Sequence, residues 1–238
     1  MRFLITAGNT REQIDRVRDW GNIFTGNTGY SIARALTALG DVDLITSNRA
    51  HLAEMESQQG GTRIQGTAFT SHAELRSALE SALRATQYDA IFMSAAIADY
   101  RPAGSFQVIK RQAAENGEET WTVRNVQAGK VKSSYDEIAI LGERTEKLVD
   151  LFRKAWAYRG MLVKFKLEVG VSPEQLIQIG QASRKASGAD YLVANTLEMV
   201  EGEKAGAYLL SDAGDEWVPR AALAQRLVML VRQHLGRT

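Results

Sequence analysis

Cysteine is absent from the 238 residues, which excludes disulfides, thiolate nucleophiles and a Cys-ligated zinc site. Histidine occurs three times, as His51, His72 and His234, in polar or helical surroundings, so neither a His-based triad nor a His metal cluster is expected. No stretch approaches the ~20 consecutive apolar residues of a membrane span, and the apolar run Phe3 to Ile5 is too short for a secretory signal. The expected location is therefore the cytoplasm. Neither sign of charge dominates, with 29 Lys plus Arg against 28 Asp plus Glu. Such a balance gives no global field to attract nucleic acid or an anionic membrane, and any anion binding has to be local. What the chain does have is 45% hydrophobic residues, enough for a full core in one domain spanning 1–238, with no repeat or linker.

The first thirty residues carry most of the chemistry. Phe3-Leu4-Ile5-Thr6-Ala7-Gly8 reads as a strand, and Ile32, Ala33, Ala35, Leu36 and Leu39 resume at helical spacing. Between them lies a long polar loop that ends in Thr25-Gly26-Asn27-Thr28-Gly29. Gly8 permits close backbone approach to a ligand, and a Gly26–Gly29 turn opening a helix presents free N–H groups where anions are stabilised. Periodicity alone fits equally an α/β protein with no ligand there. A dinucleotide fingerprint is not present: the G-x-G-x-x-G spacing is missing, and about 17 residues separate strand from helix where that turn is tight. Polar loops of this length are usually functional, and Arg11, Arg18, Asn9 and Asn22 suit a carboxylate or phosphate.

Further along, Asp41–Ser47 reads as a strand, Asn48–Gly61 as a short helix and loop, and Thr62–Phe69 as a weak strand. Ser71 with Glu74 forms a capping box ahead of Leu75, Leu79 and Leu83. Tyr88–Ala96 is a buried strand ending in the small residues Ala95 and Ala96, then Asp99. Small side chains there either leave room for a ligand or let a helix pack closely. Residues 103–132 lose the pattern and suggest a flap or hairpin arm. Gly160–Glu168 and Ala189–Asn195 read as strands, Pro173–Ser187 as a helix capped by Ser172, Ala207–Leu210 as an edge strand and Arg220–Leu235 as a closing helix. Strands alternating with helices imply a Rossmann-like α/β three-layer sandwich, mostly parallel, with helices on both faces.

The order I-T-A-G-x-T-R-E, I-D-x-V-R, N, T-G-x-x-G over residues 5–29, with A-A-x-A-D-Y-R-P at 95–102, K-V-K-S at 130–133, K-F-K-x-E at 164–168 and D-x-L-x-A-N at 190–195, resembles phosphopantothenoylcysteine synthetase (phosphopantothenate-cysteine ligase), in its free-standing form. The resemblance implies joining of 4'-phosphopantothenate to L-cysteine in coenzyme A biosynthesis. The carboxylate is first activated as an acyl-nucleotidylate by CTP or ATP with Mg, and cysteine's amine then displaces the nucleotide. It also implies a homodimer in which one subunit's 103–132 segment completes the other's site, followed by a strand at Glu137–Leu141 and a helix at Thr145–Trp156. A separate partner is expected to perform the preceding flavin-dependent decarboxylation.

By this resemblance Lys130 is the cation at the α-phosphate, Asn22 holds the acyl-nucleotidylate and Arg18 stands beside it. Gly8, Thr10, Ala95, Ala96, Asp99 and Phe165 line the nucleotide, and Asn22, Gly26, Asn27, Thr28 and Gly29 bind substrate. Each has a plainer reading: Lys130 as a solvated lysine, Asn22 as a turn residue, Arg18 as the ion-pair partner of Asp15 or Asp19, and Phe165 as core. No metal ligand is assigned. The chain departs from the family pattern at Asn9, where a glycine is usual and the left-handed region is in question, and at Asn27, where a basic residue is usual. Ser183, Arg184, Lys185 and Ser187 do not reproduce a lysine pair of the CTP-using branch. Both nucleotides therefore stay open, with CTP favoured. The competing readings are an NAD(P)-dependent Rossmann oxidoreductase and a non-catalytic nucleotide-binding relative of the ligase.

Overall fold

The computed structural model describes residues 1–57, 63–200, 202 and 205–236. In chain order the strands are β1 (Arg2–Ala7), β2 (Arg11–Gln13), β3 (Asp19–Gly21), β4 (Asp41–Thr46), β5 (Ile64–Ala68), β6 (Ala90–Met93), β7 (Tyr100–Ala113), β8 (Glu119–Asn125), β9 (Ile138–Arg144), β10 (Met161–Glu168), β11 (Tyr191–Thr196), β12 (Gly206–Ser211) and β13 (Gly214–Pro219). The helices are α1 (Asn27–Leu36), α2 (Arg49–Ser57), α3 (His72–Ala85), α4 (Leu148–Lys154), α5 (Pro173–Ser187) and α6 (Arg220–Leu235). The part of the expected Asn48–Gly61 loop beyond Ser57, and Thr62, lie outside the described residues.

The main sheet runs β13-β12-β11-β10-β6-β1-β4-β5. Its six strands from β5 to β11 are parallel, and β12 and β13 are added antiparallel. Alternation along β1 decides the layers. Phe3 and Ile5 point into a core with Tyr30, Ile32 and Leu36 of α1, Met55 of α2 and Leu223, Leu227 and Val231 of α6. Leu4 points the other way, toward Leu75 and Leu79 of α3 and Leu148 and Phe152 of α4. On that second side Leu176 of α5 packs on Leu192 and Leu210. These strands are buried on both faces, which is why they read as unbroken apolar runs. The expected Rossmann-like α/β sandwich is what the chain forms.

Four expectations are corrected. The loop after β1 contains a small hairpin, β2 with β3, which strands of three residues without an apolar alternation do not announce. The arm is a three-stranded sheet, β8-β7-β9, that starts at Tyr100 and extends to Arg144. The expected edge strand at 207–210 is covered by β13, of which only Val218 is buried, so no apolar pattern marks it. Finally, α4 is shorter than the expected Thr145–Trp156.

Two glycines set the geometry at the end of β1. Gly8 has φ 87° and Gly26 has φ 82°, in the region that disfavours a Cβ. A Cβ on Gly26 would lie 2.0 Å from the Gly8 nitrogen, so the backbones are packed directly on each other. Gly26→Ala is expected to destabilise the fold by about 2–4 kcal/mol, read as a lower denaturant midpoint at unchanged slope.

Candidate active site

In the parallel part of the sheet the order β5-β4-β1-β6-β10-β11 reverses direction between β1 and β6. In open α/β sheets ligands bind outside the carboxyl ends of the strands at such a switch point. A cavity of about 770 Å³ lies there, within the range of small-molecule sites. It is bounded by the Gly8 turn, Ile23 to Gly29, Ser94 to Ala96, Phe165 to Leu167, Val193, Asn195, Leu197 to Val200 and the start of α6.

The loops that follow β1 and β6 are tied together by hydrogen bonds. Ala96 N–H donates to the Gly8 carbonyl at 2.8 Å, and Thr10 N–H to the Ala96 carbonyl at 3.1 Å. Ala95 N–H donates to Thr6 Oγ1 at 3.1 Å and Ala98 N–H to Thr10 Oγ1 at 2.8 Å. Ser94 Oγ donates to the Thr6 carbonyl at 2.6 Å. Thr10 is fully buried, so its hydroxyl holds the neighbouring turn.

α1 begins at the cavity wall with Gly26 as its N-cap, no side-chain capping bond and no acid in its first turn. Its first N–H groups are available to an anion. Gly29, one turn in, allows α1 to touch β1, since a Cβ there would lie 2.9 Å from the Thr6 carbonyl oxygen. The wall opposite is mixed: Phe165, Leu167, Val193, Met199 and Leu223 are apolar, while Asn195, Glu198, Lys166 and Arg220 are polar. Lys166 pairs with Glu168 at 2.8 Å, and Arg220 donates to the Val200 carbonyl.

The structure therefore brings Gly8, Gly26, Asn27, Thr28, Gly29, Ala95, Ala96 and Phe165 to one cavity. Asn22 stands next to it and donates through Nδ2 to the Ala96 carbonyl at 3.2 Å. Asp99 is exposed three residues beyond Ala96. Asn9 does not adopt the left-handed region, because among the described residues Ala157 alone among non-glycines has positive φ. Its amide instead bridges the loop: Nδ2 donates to the Asn22 carbonyl and Oδ1 accepts from Ser47 Oγ at 3.2 Å. Residues 183–187 close α5 and lead into the amino end of β11. Arg184 is buried and binds the Ala189 and Asp190 carbonyls and Asp212.

Arg18 and Lys130 lie elsewhere in this chain, at the tip of the β2–β3 hairpin. Asp15 is 6% exposed. Its carboxylate accepts from Arg18 Nε and Nη2 at 3.1 and 2.5 Å, from Val17 and Arg18 N–H, and from Val131 N–H at 3.0 Å. Arg18 also donates to the Val131 carbonyl at 2.8 Å, and Arg16 N–H to the Gly129 carbonyl at 3.0 Å. Lys130 is thus presented, exposed, beside this clasp and is not among the residues that line the cavity. Sequence reasoning missed the wall formed by Leu197–Val200 and Arg220, which comes from distant segments with no local signature.

A nicotinamide dinucleotide site places an acid at the end of the second strand for the ribose. Here β4 ends at Thr46, followed by Ser47 and Asn48, with no carboxylate.

Residues 1–117 match the family model described as DNA/pantothenate metabolism flavoprotein C-terminal domain. The coenzyme A biosynthesis bifunctional protein CoaBC of Thermococcus kodakarensis is 30% identical over 230 residues, 95% of this chain and 49% of that protein. The chain is similar to this family over residues 1–117 and to CoaBC over most of its own length. It spans about half the length of the curated relatives it matches. Two solved structures share its fold. The DNA/pantothenate metabolism flavoprotein of Streptococcus pneumoniae is 24% identical with a TM-score of 0.80, covering 98% of this chain and 99% of that one. A Cab2 variant in complex with phosphopantothenate-cysteine is 14% identical with a TM-score of 0.68, covering 99% of this chain and 88% of that one.

The Asp15 clasp has a pH signature. The Arg18 guanidinium, with the backbone donors, holds the Asp15 carboxyl well below its ordinary value of 3.8. A depressed folded-state value means stability that is present above the ordinary value and lost as pH falls below it. Hydrogen exchange at the Val131 amide is expected to stay protected from neutral pH down to about pH 4 and to fail only in stronger acid. In Asp15→Asn it is expected to speed up about tenfold or more at neutral pH, while global unfolding shifts little.

Proposed function

We propose that this chain is a phosphopantothenate-cysteine ligase. What carries the reading is that the loops bearing the family's signatures, 8–29 and 94–99, meet at one cavity, in a chain whose CoaBC relative is matched over 95% of its length. A carboxylate is a poor acyl donor at neutral pH. CTP or ATP activates it as an acyl-nucleotidylate with loss of pyrophosphate, and the amine of L-cysteine then displaces the nucleotide to give the amide. Chemistry of this kind asks the protein for positioning and for donors aimed at developing charge.

The apolar wall around Phe165 suits the base and ribose, and the open first turn of α1 suits a phosphate. Asn22, already oriented by its bond to the Ala96 carbonyl, has its amide oxygen free to accept from the incoming amine. Lys130 neutralises charge on the α-phosphate as the leaving pyrophosphate departs. Among the described residues no group of three or more His, Asp or Glu is placed to hold a metal by itself. Magnesium is held largely by substrate phosphates with one or two carboxylates; Glu198 is the carboxylate that lines the cavity. When bound, the ion offsets phosphate charge.

Because Lys130 does not line its own chain's cavity, the reading includes a homodimer in which the 100–144 arm reaches a neighbour. Ile109, Trp121, Val123, Ile138 and Leu141 are exposed on that arm, apolar surface that a neighbour would cover. No helix among the described residues is long and apolar enough to cross a membrane, and the reading needs neither membrane nor nucleic acid.

With 4'-phosphopantothenate, magnesium, cysteine and either CTP or ATP, pyrophosphate and the amide product are expected together. Lys130→Ala is expected to lower kcat about a hundredfold or more. Asn22→Ala should let the acyl-nucleotidylate accumulate while amide formation slows. Absence of pyrophosphate and of intermediate with both nucleotides, from folded protein, overturns the reading. Sedimentation at micromolar concentration is expected to give a dimer, and Trp121→Asp a monomer.

A further inference from the structure

Asn27 opens α1 at the cavity wall, and behind it stands a side chain that the family resemblance does not assign. His51, on α2, is 4% exposed. Its ring stacks on Tyr30 at 4.3 Å and 13°, and its Nε2 lies 3.0 Å from Asn27 Oδ1. Asn27 and Tyr30 are three residues apart on α1 and share a face, so His51 is held by one and touches the other.

The tautomer is an assignment made from the hydrogen-bond network. Asn48 N–H donates to Thr46 Oγ1 at 3.1 Å, which leaves the Thr46 hydroxyl proton for His51 Nδ1 at 3.5 Å. The proton of the neutral ring then sits on Nε2 and is donated to Asn27 Oδ1. Asn48 Nδ2, 3.2 Å from the same nitrogen, donates one of its two protons to the Thr25 carbonyl at 3.0 Å. With its oxygen engaged, Asn27 keeps its amide NH2 as a donor, and among the described residues that NH2 has no protein partner.

We propose that His51 is a positioning residue that fixes the Asn27 amide, so that its NH2 joins the backbone N–H groups of the first turn of α1 in binding a phosphate group of the substrates. A neutral, oriented donor thereby replaces a cationic side chain at position 27. Burial lowers the His51 pKa, against Glu54, which raises it, so the ring is neutral at physiological pH and acts through hydrogen bonding. This inference rests on the ligase reading for the identity of the phosphate, which belongs either to the nucleotide or to 4'-phosphopantothenate.

Two measurements test it. Nitrogen-15 spectra of the histidine rings, with His51 assigned by comparison with His51→Gln, are expected to show the Nε2–H tautomer; an Nδ1–H tautomer overturns the proposal. Calorimetric binding of CTP, ATP and 4'-phosphopantothenate separately is expected to weaken roughly tenfold for one class of ligand in His51→Ala and in Asn27→Ala. Whichever ligand is affected owns the phosphate.

Asn27→Asp keeps the acceptor for His51 but replaces the donor with a negative charge, and is expected to bind that ligand more weakly still. His51→Gln should recover part of the loss, and the double alanine variant should bind no worse than Asn27→Ala. Unchanged binding of every ligand in Asn27→Asp, or additive losses in the double variant, sinks the idea. Binding without turnover in the wild type would fail the ligase reading and leave this proposal to be decided by the same titrations.

Discussion

The contact between the backbones of Gly8 and Gly26 is what the cavity depends on. A chain that leaves β1, travels through a hairpin and returns to start α1 must close its ends somewhere, and closure of a long loop carries an entropic cost. Here it closes with main chain on main chain, since a Cβ on Gly26 would lie 2.0 Å from the Gly8 nitrogen. This contact sets the first turn of α1 at the end of β1, beside the turn after β6. The threonines of β1 and its loop then fix that second turn by accepting from Ala95 and Ala98 N–H. Ligand-facing backbone is positioned by side chains that do not face the ligand.

Much of the architecture was legible because buried parallel strands and amphipathic helices leave strong local patterns. Leu4 and Phe3 point to opposite cores, which is why β1 reads as an unbroken apolar run. The elements that escaped lack such a pattern. β2 and β3 are short and polar, and β13 buries Val218 alone; all three exist because an adjoining strand offers hydrogen bonds.

The site divides in the same way. Its glycines were readable from sequence, but their reason was not. Gly8 was expected to admit a ligand; it lines the cavity, and its missing side chain also makes space for Ser47, whose Oγ would lie 2.1 Å from a Cβ. Asn9 and Asn27 looked like losses in a linear comparison. In three dimensions each has an engaged oxygen, Asn9 with Ser47 and Asn27 with His51, and partners 38 and 24 residues away leave no mark in local spacing. Arg18 is the converse case: its match to a motif was clear, yet its guanidinium is spent on Asp15 and the Val131 carbonyl.

The Asp15–Val131 bond spans 116 residues. The chain between its ends includes β4 and β5, which pair with β1 and with each other over much shorter separations. Long-range closures are slow and gain little until the intervening chain is compact. The clasp therefore closes a far longer loop than the β1–β4 and β4–β5 pairings do, at a larger cost in chain entropy.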